Sequence, residues 1–269
     1  LRFIPDKLIV HNEIAKEEMM KYHNVPRDII HLSGIPQFEK YLGMAADPRD
    51  EFYKKIGANP QKRLVLFAPA GQFFIDTDWQ ICQMLKDLYH ENKIPRDIQF
   101  VIRIHPFLPI DLSKFSPDEN FILDSPGPSK PSRLDRGRKE GDLDNDIFFQ
   151  HIYNSLHYSS LVINSMSSII IDTMIFDKPL ITINFNGWEK KVPFLRNLAK
   201  RWRREENQIS WMSFGSTALV KNREELAEWI NRYLENPSFH SRERKVFREA
   251  YCWKFDGKAA QRIRDICLK

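Results

Sequence analysis

Cysteine is scarce in this 269-residue chain: Cys82, Cys252 and Cys267 are odd in number and far apart. Without a CxxC-type spacing they argue against a disulfide framework and a cysteine metal site. Free thiols in a reducing compartment are the simplest reading. No apolar run reaches the roughly 18 residues that a membrane-spanning helix needs, and no signal-peptide pattern opens the sequence. The phosphate loop GxxxxGKS, the dinucleotide fingerprint GxGxxG, the GxSxG elbow and the zinc motif HExxH are all missing, so the commonest signatures of nucleotide hydrolases, serine hydrolases and metalloproteases are excluded. There is no internal repeat and no low-complexity tract. Hydrophobic residues make up 42% and charged residues 29%, an ordinary balance for a globular protein that argues against wholesale disorder. The net charge of +5 and a pI near 9.0 suit a phosphorylated ligand or a negatively charged membrane surface and give no ground for a nucleic-acid partner. The chain begins at Leu1, without Met, and enters the strand-like DKLIVHN at once. This reads as a piece of a longer protein.

The most informative segment is Ser159 to Gly187, SSLVINSMSSIIIDTMIFDKPLITINFNG. An apolar run, Leu161 to Ile163, ends in Asn164, Ser165, Ser167 and Ser168. A short apolar segment follows, then Asp177-Lys178-Pro179 and a second apolar run, Leu180 to Ile183. The pattern predicts strand, Ser-rich turn, helix, turn, strand, which is a βαβ unit of a parallel sheet. Its polar cluster falls where the first strand ends and the helix begins. Open α/β sheets bind ligands there, and free helix N–H groups suit phosphate.

Upstream, Lys7 to Val10 reads as a buried strand, Glu13 to Tyr22 as a helix and Ile29 to Leu32 as a strand closed by Gly34-Ile35-Pro36. The polar, helix-capable stretch Asp47 to Lys62 links this to the next unit. Leu64 to Ala68 is a strong buried strand ending in Pro69-Ala70-Gly71, Asp78 to His90 is helical, and Ile98 to Ile104 is a strand ending in His105-Pro106. Phe121 to Leu123 is a short strand. Ser125 to Asp146 is rich in Pro, Gly and charge, and must be an exposed loop. Ile147 to His157 is helical. Beyond Gly187 comes a basic helical segment, then a strand at Thr217 to Val220 and helices at Glu224 to Leu234, Ser241 to Tyr251 and Gly257 to Cys267. Strands alternating with helices from residue 64 to 220 imply an α/β fold with a Rossmann-like, doubly wound parallel sheet. The expected domains are residues 1–45, the end of a preceding domain and its linker, and residues 46–269, a nucleotide-binding domain with C-terminal helices.

Loops after the predicted strands should converge at one sheet edge, because right-handed crossovers put the C-terminal ends of parallel strands together. Gly, His and Ser converging there without an acidic cluster point to an anion pocket, most naturally for a nucleotide phosphate. Gly71 would let backbone N–H groups approach the phosphate; a plain tight turn is the alternative. His105 would donate a hydrogen bond to phosphate and stabilise charge on a leaving nucleotide, with Pro106 stiffening its turn; a lone His is otherwise often structural. Arg103, two residues earlier on the same face, is a second anion ligand or half of an ion pair. Among Ser165, Ser167 and Ser168 one N-cap accounts for one hydroxyl and leaves others for a ligand. Asp172, four residues after Ser168, lies one helical turn in, where it would accept bonds from ribose hydroxyls or stand as a partly exposed helix Asp. The alternating Asp142, Asp144 and Asp146 lack the Gly and terminal Glu of a calcium loop. Lys200 to Arg204 reads as a solvated basic helix face, or as an acceptor-binding or peripheral membrane patch with Trp202 as its anchor.

These segments resemble a known group. DKLIVHNEIAKEEMMKYHNVPRDIIHLSGIPQFEKY is similar to the end of the N-terminal domain of GT-B glycosyltransferases. LVLFAPAG, VIRIHP, LVINSMSSIIIDTMIFDKPLITINF and FDGKAAQRIRDI resemble the nucleotide-binding half of the group that includes CDP-glycerol glycerophosphotransferases. Bacterial polysialyltransferases, capsule enzymes that use CMP-sugars, share a His-Pro motif and a Ser motif in that half, which His105-Pro106 and Ser165-Met166-Ser167-Ser168 match. The resemblance implies that the His and Ser motifs contact the donor nucleotide. It implies a cytoplasmic transferase, placed peripherally at the inner membrane face, that moves a sugar or polyol phosphate from a CMP-, CDP- or UDP-linked donor to a glycan or lipid-linked acceptor in surface polysaccharide synthesis. No cofactor and no metal is required by it. UDP-N-acetylglucosamine 2-epimerases share the architecture and place an acidic residue near Asp172, so an epimerase is an alternative, as is a module that kept the fold and lost the chemistry. In the GT-B pattern the N-terminal domain supplies the acceptor site and the catalytic base, and most of that domain is absent from this sequence.

Overall fold

The computed structural model describes residues 4–71, 77–104, 110–124, 146–165, 167–188, 197–198 and 206–268. The chain divides into two compact units. One combines residues 1–45 with 245–269, and the other is residues 46–244.

In the first unit, β1 (Leu8–Val10) and β2 (Ile30–Leu32) pair in parallel, with Val10 opposite Leu32. The crossover between them is α1 (Glu13–His23). Asn12 begins it by accepting the Ala15 N–H at 2.9 Å, and Asn24 ends it in the left-handed region at φ 52°. A single turn, α2 (Pro36–Glu39), follows β2. Near the chain's end come α9 (Ser241–Tyr251), which runs through the boundary between the units, and α10 (Ala259–Leu268). The Glu39 carboxylate accepts the N–H groups of Gly257 and Ala259 at 2.9 and 2.8 Å, placing negative charge at the start of α10. Lys7 Nζ donates to the Ile266 carbonyl at 2.8 Å, and Asn12 Nδ2 to the Tyr251 carbonyl at 2.8 Å. These bonds account for a difference from the sequence reading, which assigns the C-terminal helices to the second unit: the partners are more than 200 residues apart, and no local pattern announces them.

The second unit opens with α3 (Arg49–Ile56) and holds six parallel strands: β3 (Arg63–Ala68), β4 (Ile98–Arg103), β5 (Phe121–Asp124), β6 (Ser159–Asn164), β7 (Leu180–Ile183) and β8 (Ala218–Val220). Their order is β5-β4-β3-β6-β7-β8. Counted from β3 this is 3-2-1-4-5-6, the doubly wound arrangement that the alternating pattern predicts. Side chains alternate across the sheet. On one face Val65, Phe67, Phe100, Ile102, Leu161, Ile163, Ile181 and Ile183 pack with Ile81, Leu85 and Leu88 of α4 (Asp78–His90) and with Leu226, Ile230 and Tyr233 of α8 (Arg223–Glu235). The other face carries buried Leu64, Leu66, Val162 and Leu180. It is covered by α5 (Asp146–Tyr158) and α6 (Ile169–Ile175). A further helix, α7 (Glu206–Ser213), is not read from the sequence, which favours the preceding basic run. That run, the loop residues 125–145, and His105 and Pro106 lie outside the described residues.

Arg244 ties the end of this unit to the turn before β7. The side chain is 1% exposed; Nε donates to Asp177 Oδ1 at 2.7 Å, Nη2 to the Pro237 carbonyl at 3.0 Å and Nη1 to the Phe239 carbonyl. Asp177 sits at φ 49° in that turn. Lys cannot reproduce a three-way fork with one ammonium. Arg244→Ala should therefore lower the unfolding free energy by about 2 kcal/mol or more, because it empties the buried place of the guanidinium and removes its three hydrogen bonds, and Arg244→Lys should recover only part of it. Urea denaturation midpoints measure both.

Candidate functional site

Winding reverses between β3 and β6, so the crevice of the sheet opens at their carboxyl ends. Ala68 and Asn164 are paired there, and the Ser165 N–H donates to the Ala68 carbonyl at 3.3 Å. The loops carrying Gly71 and the Ser cluster are thus brought together, as the sequence reading expects of the convergent strand ends.

Gly71 has φ +87°, a backbone that favours glycine. Its N–H donates to Asp78 Oδ2 at 2.8 Å, in a buried contact. The donor that the sequence reading offers to a phosphate is engaged within the protein, so the tight-turn role is the one the geometry displays. Asp78 is the first residue of α4, where a carboxylate suits the helix dipole. Thr77 precedes it at the N-cap. Its side chain makes no cap bond, and its buried Oγ1 has no partner among the described residues.

Across the crevice, Asn164 Nδ2 donates to the Ser167 carbonyl at 3.1 Å. Ser167 Oγ accepts the Ile169 N–H at 3.4 Å, and Ser168 is the N-cap of α6 without a side-chain cap bond. Ser167 is half-buried and Ser168 exposed, so both reach the rim. Ser165 beneath them is fully buried, and among the described residues its Oγ has no partner; neither has Asn164 Oδ1. Asp172 is half-buried one turn into α6.

Arg103 lies at the end of β4, opposite Asp124 of β5. Its Nη2 and Nε donate to Asp124 Oδ2 at 2.9 and 3.2 Å, and Nη2 also donates to Ser155 Oγ. His151 Nε2 donates to both Asp124 oxygens, at 2.8 and 3.0 Å, and Ser155 Oγ donates to the His151 carbonyl at 2.7 Å. Arg103, Asp124 and His151 are 8, 6 and 8% exposed, and the Phe52 ring meets the His151 ring edge to face at 5.7 Å. Of the two readings for Arg103, the ion pair is realised. Its Nη1 is buried without a partner. Sequence reasoning misses Asp124 and His151. The one available signal is the spacing of His151 and Ser155, four residues apart on one face of α5.

Burial pushes the Asp124 carboxyl up, but the Arg103 charge and the His151 hydrogen bond outweigh it and hold the pKa below the usual carboxylate range. A depressed folded-state pKa contributes stability above the unfolded value near pH 3.9, and that contribution is lost as pH falls towards the folded-state pKa. Asp124→Asn should cost about 3 kcal/mol at pH 7 and show a shallower loss of stability than the natural chain below about pH 4. Urea unfolding across that pH range tests both expectations.

The first unit has its own open cavity of about 580 Å³, lined by Lys7, His31, Leu32, Arg262, Asp265 and Ile266, none of which the sequence reading singles out.

With this geometry in place, comparison with known proteins is informative. Solved structures of the wall teichoic acid polymerase TagF are similar to the chain. One has a TM-score of 0.58 at 17% identity, covering 98% of this chain and 59% of that one. Another, the H444N variant soaked with CDPG, has a TM-score of 0.54 at 18% identity, covering 98% and 57%. UDP-GlcNAc 2-epimerase from Neisseria meningitidis, bound to UDP-GlcNAc, has a TM-score of 0.56 at 12% identity, covering 98% and 61%. At such identities the likeness is one of fold, and the chain spans less than two thirds of the length of each. No curated protein matches. The family model for CDP-Glycerol:Poly(glycerophosphate) glycerophosphotransferase, in contrast, matches residues 4–269. A match over nearly the whole sequence, on a sheet whose switch point holds the Ser motif, makes this chain a member of the CDP-glycerol:poly(glycerophosphate) glycerophosphotransferase family.

Proposed function

We propose that residues 46–244 bind the nucleotide end of a CDP-activated glycerol donor at the β3/β6 switch point, and that the chain is the donor-binding part of a transferase that moves glycerophosphate onto a cell-surface polymer. The observation that carries this reading is the pair of buried, unpartnered groups at that point, Ser165 Oγ and Asn164 Oδ1. A buried hydroxyl without a partner costs about 1–3 kcal/mol. A ligand that bonds to it recovers that cost, and the family supplies a ligand with the right chemistry.

In this reading an acceptor hydroxyl attacks the glycerol-bearing phosphorus. The bond from that phosphorus to the bridging oxygen breaks, CMP leaves with the bonding pair, and the acceptor's proton passes to a base. Ser165, Ser167 and Ser168 contact the diphosphate, and His105 donates to the oxygen on which charge develops as CMP leaves. Pro106 fixes the turn of His105, and Asp172 accepts from the ribose. Arg103 contributes positive charge through its place in the ion network. Neither a cofactor nor a divalent metal has a step in this scheme. The acceptor is a glycan or lipid-linked polymer met at the inner face of the membrane, a reading supported by the basic run Lys200 to Arg204. Among the described residues no helix is long and apolar enough to cross a membrane. The epimerase alternative has the shared fold in its favour and no residue of this chain beyond Asp172.

Calorimetric titration with CMP, CDP, UDP and GDP tests the reading. CDP should bind with preference, and His105→Ala should weaken it by about tenfold. Absence of nucleotide binding, or a preference for UDP, would count against it. Ser165→Ala makes a sharper test. The variant should bind CDP about tenfold more weakly, yet melt at the same temperature as the natural chain or above it, because it removes an unsatisfied buried hydroxyl. A lowered melting temperature with unchanged affinity would mean that the hydroxyl serves the fold. Replacing Ser167 and Ser168 together by Ala should weaken nucleoside diphosphates more than nucleosides; an equal loss would refute the phosphate assignment.

A further inference from the structure

Among the described residues, Trp188 is a large aromatic side chain that the second unit leaves open at the carboxyl edge of its sheet. It follows β7 by five residues and is 50% exposed. Phe239, also exposed, follows α8, and the Arg232 guanidinium lies over its ring, 5.0 Å from the centre. Exposure alone says little, but the backbone beneath Trp188 is fixed from several sides. Its N–H donates to Gln80 Oε1 at 3.0 Å, and Gln80 is buried. Gly187 has φ +71°, and a Cβ there would lie 2.5 Å from Gln80 Oε1 and 2.8 Å from Gln80 Cβ. Only glycine lets this loop lie against α4. The Trp79 ring meets the Trp188 ring edge to face, at 5.4 Å and 89°. Asn186 Oδ1 accepts the Leu198 N–H at 2.6 Å, which holds the loop on its other side.

Three consecutive residues in the first turn of α4 do this positioning. Asp78 holds Gly71, Trp79 touches Trp188, and Gln80 holds the Trp188 backbone. The helix start therefore ties the loop after β3 to the loop after β7, and β6 with its Ser cluster runs between those two strands. Adjacent strands are about 4.8 Å apart, so the step from the β6 loop to the β7 loop is within the span of a nucleoside diphosphate. A flat, half-exposed indole on a fixed backbone suits a flat aromatic ligand group.

We propose that Trp188 is a binding residue for the nucleobase of a nucleoside diphosphate, stacking the base while the diphosphate lies at the Ser cluster of β6. The proposal rests on the nucleotide-site reading above and adds a base subsite to it. Stacking reads a π-face rather than a hydrogen-bond pattern, so Trp188 supplies affinity and leaves base choice to other groups.

The test is calorimetry on the natural chain, Trp188→Ala, Trp188→Phe and Gly187→Ala, with CDP, UDP and inorganic pyrophosphate. Trp188→Ala should weaken CDP and UDP by a similar factor, about tenfold or more, and leave pyrophosphate unchanged. Trp188→Phe should keep most of the affinity. Gly187→Ala should behave like Trp188→Ala, because it displaces the loop. CDP should also quench the intrinsic fluorescence of the natural chain, and Trp188→Phe should lose that response. If the natural chain binds CDP and Trp188→Ala binds it equally well, the base subsite is wrong and the nucleotide site stands. An equal loss of CDP and pyrophosphate would also overturn the proposal, because it would show that Trp188 only shapes the loop. If the natural chain binds no nucleotide, both readings fall together.

Discussion

A parallel sheet covered by helices on both faces cannot leave polar side chains along its strands without partners, and in the second unit most of them stand at or near the strand ends. The runs LVLFA, FVI, LVI and LITI are buried throughout. Arg103, Asp124 and Asn164 stand at carboxyl ends and Thr182 one residue inside the end of β7, on neighbouring strands near one edge, while Gln99 and Ser159 at the amino edge are buried and bonded to Asn59 and Ser155. Once there, polar groups divide by whether the protein itself satisfies them. Thr182 Oγ1 is 3.1 Å from Thr217 Oγ1, which donates to the Leu180 carbonyl at 2.8 Å. Arg103, Asp124, His151 and Ser155 satisfy one another almost completely. Ser165 Oγ and Asn164 Oδ1 have no partner among the described residues. The first kind closes the sheet's flank. The second kind costs about 1–3 kcal/mol each while unpaired; two such groups stand where the winding reverses, and Arg103 Nη1, Asn184 Oδ1 and Ser216 Oγ are others among the described residues.

Much of this architecture is legible in the sequence because it depends on local pattern. The apolar runs give the strands, and the helices Asp78–His90 and Ser241–Tyr251 have the bounds their periodicity implies. The doubly wound order follows from alternation of strands and helices plus right-handed crossovers. The convergence of Gly71 and the Ser cluster follows from the same rule. What stays hidden depends on distant partners. Nothing near Arg103 says that Asp124 will sit opposite it, because that pairing is set by strand register and closed by α5. The grouping of the C-terminal helices with β1 and β2 depends on Glu39, Asn12 and Lys7 meeting residues at the far end of the chain. Gly71 is an intermediate case: its turn is readable, but the capture of its N–H by Asp78 is not.

The Asp78 contact also accounts for an asymmetry of the crevice. In dinucleotide-binding sheets the pyrophosphate sits on the first βα turn, at the N-terminus of the helix that follows the first strand. The equivalent here is the turn from β3 into α4. That helix start is occupied by the carboxylate of Asp78, which also makes the neighbouring Cys82 thiol, already raised by burial, harder to ionise. The Gly71 N–H is thus engaged by a carboxylate at the turn where a GxGxxG loop would hold phosphate, and this sequence has no GxGxxG. In the proposed reading the diphosphate lies on the β6 side, where hydroxyls replace carboxylates; the buried Asp124 is already matched by Arg103 and His151. The first turn of α4, relieved of the phosphate, is left to fix the loops on either side of β6, and a base lying towards β7 is the arrangement that uses both.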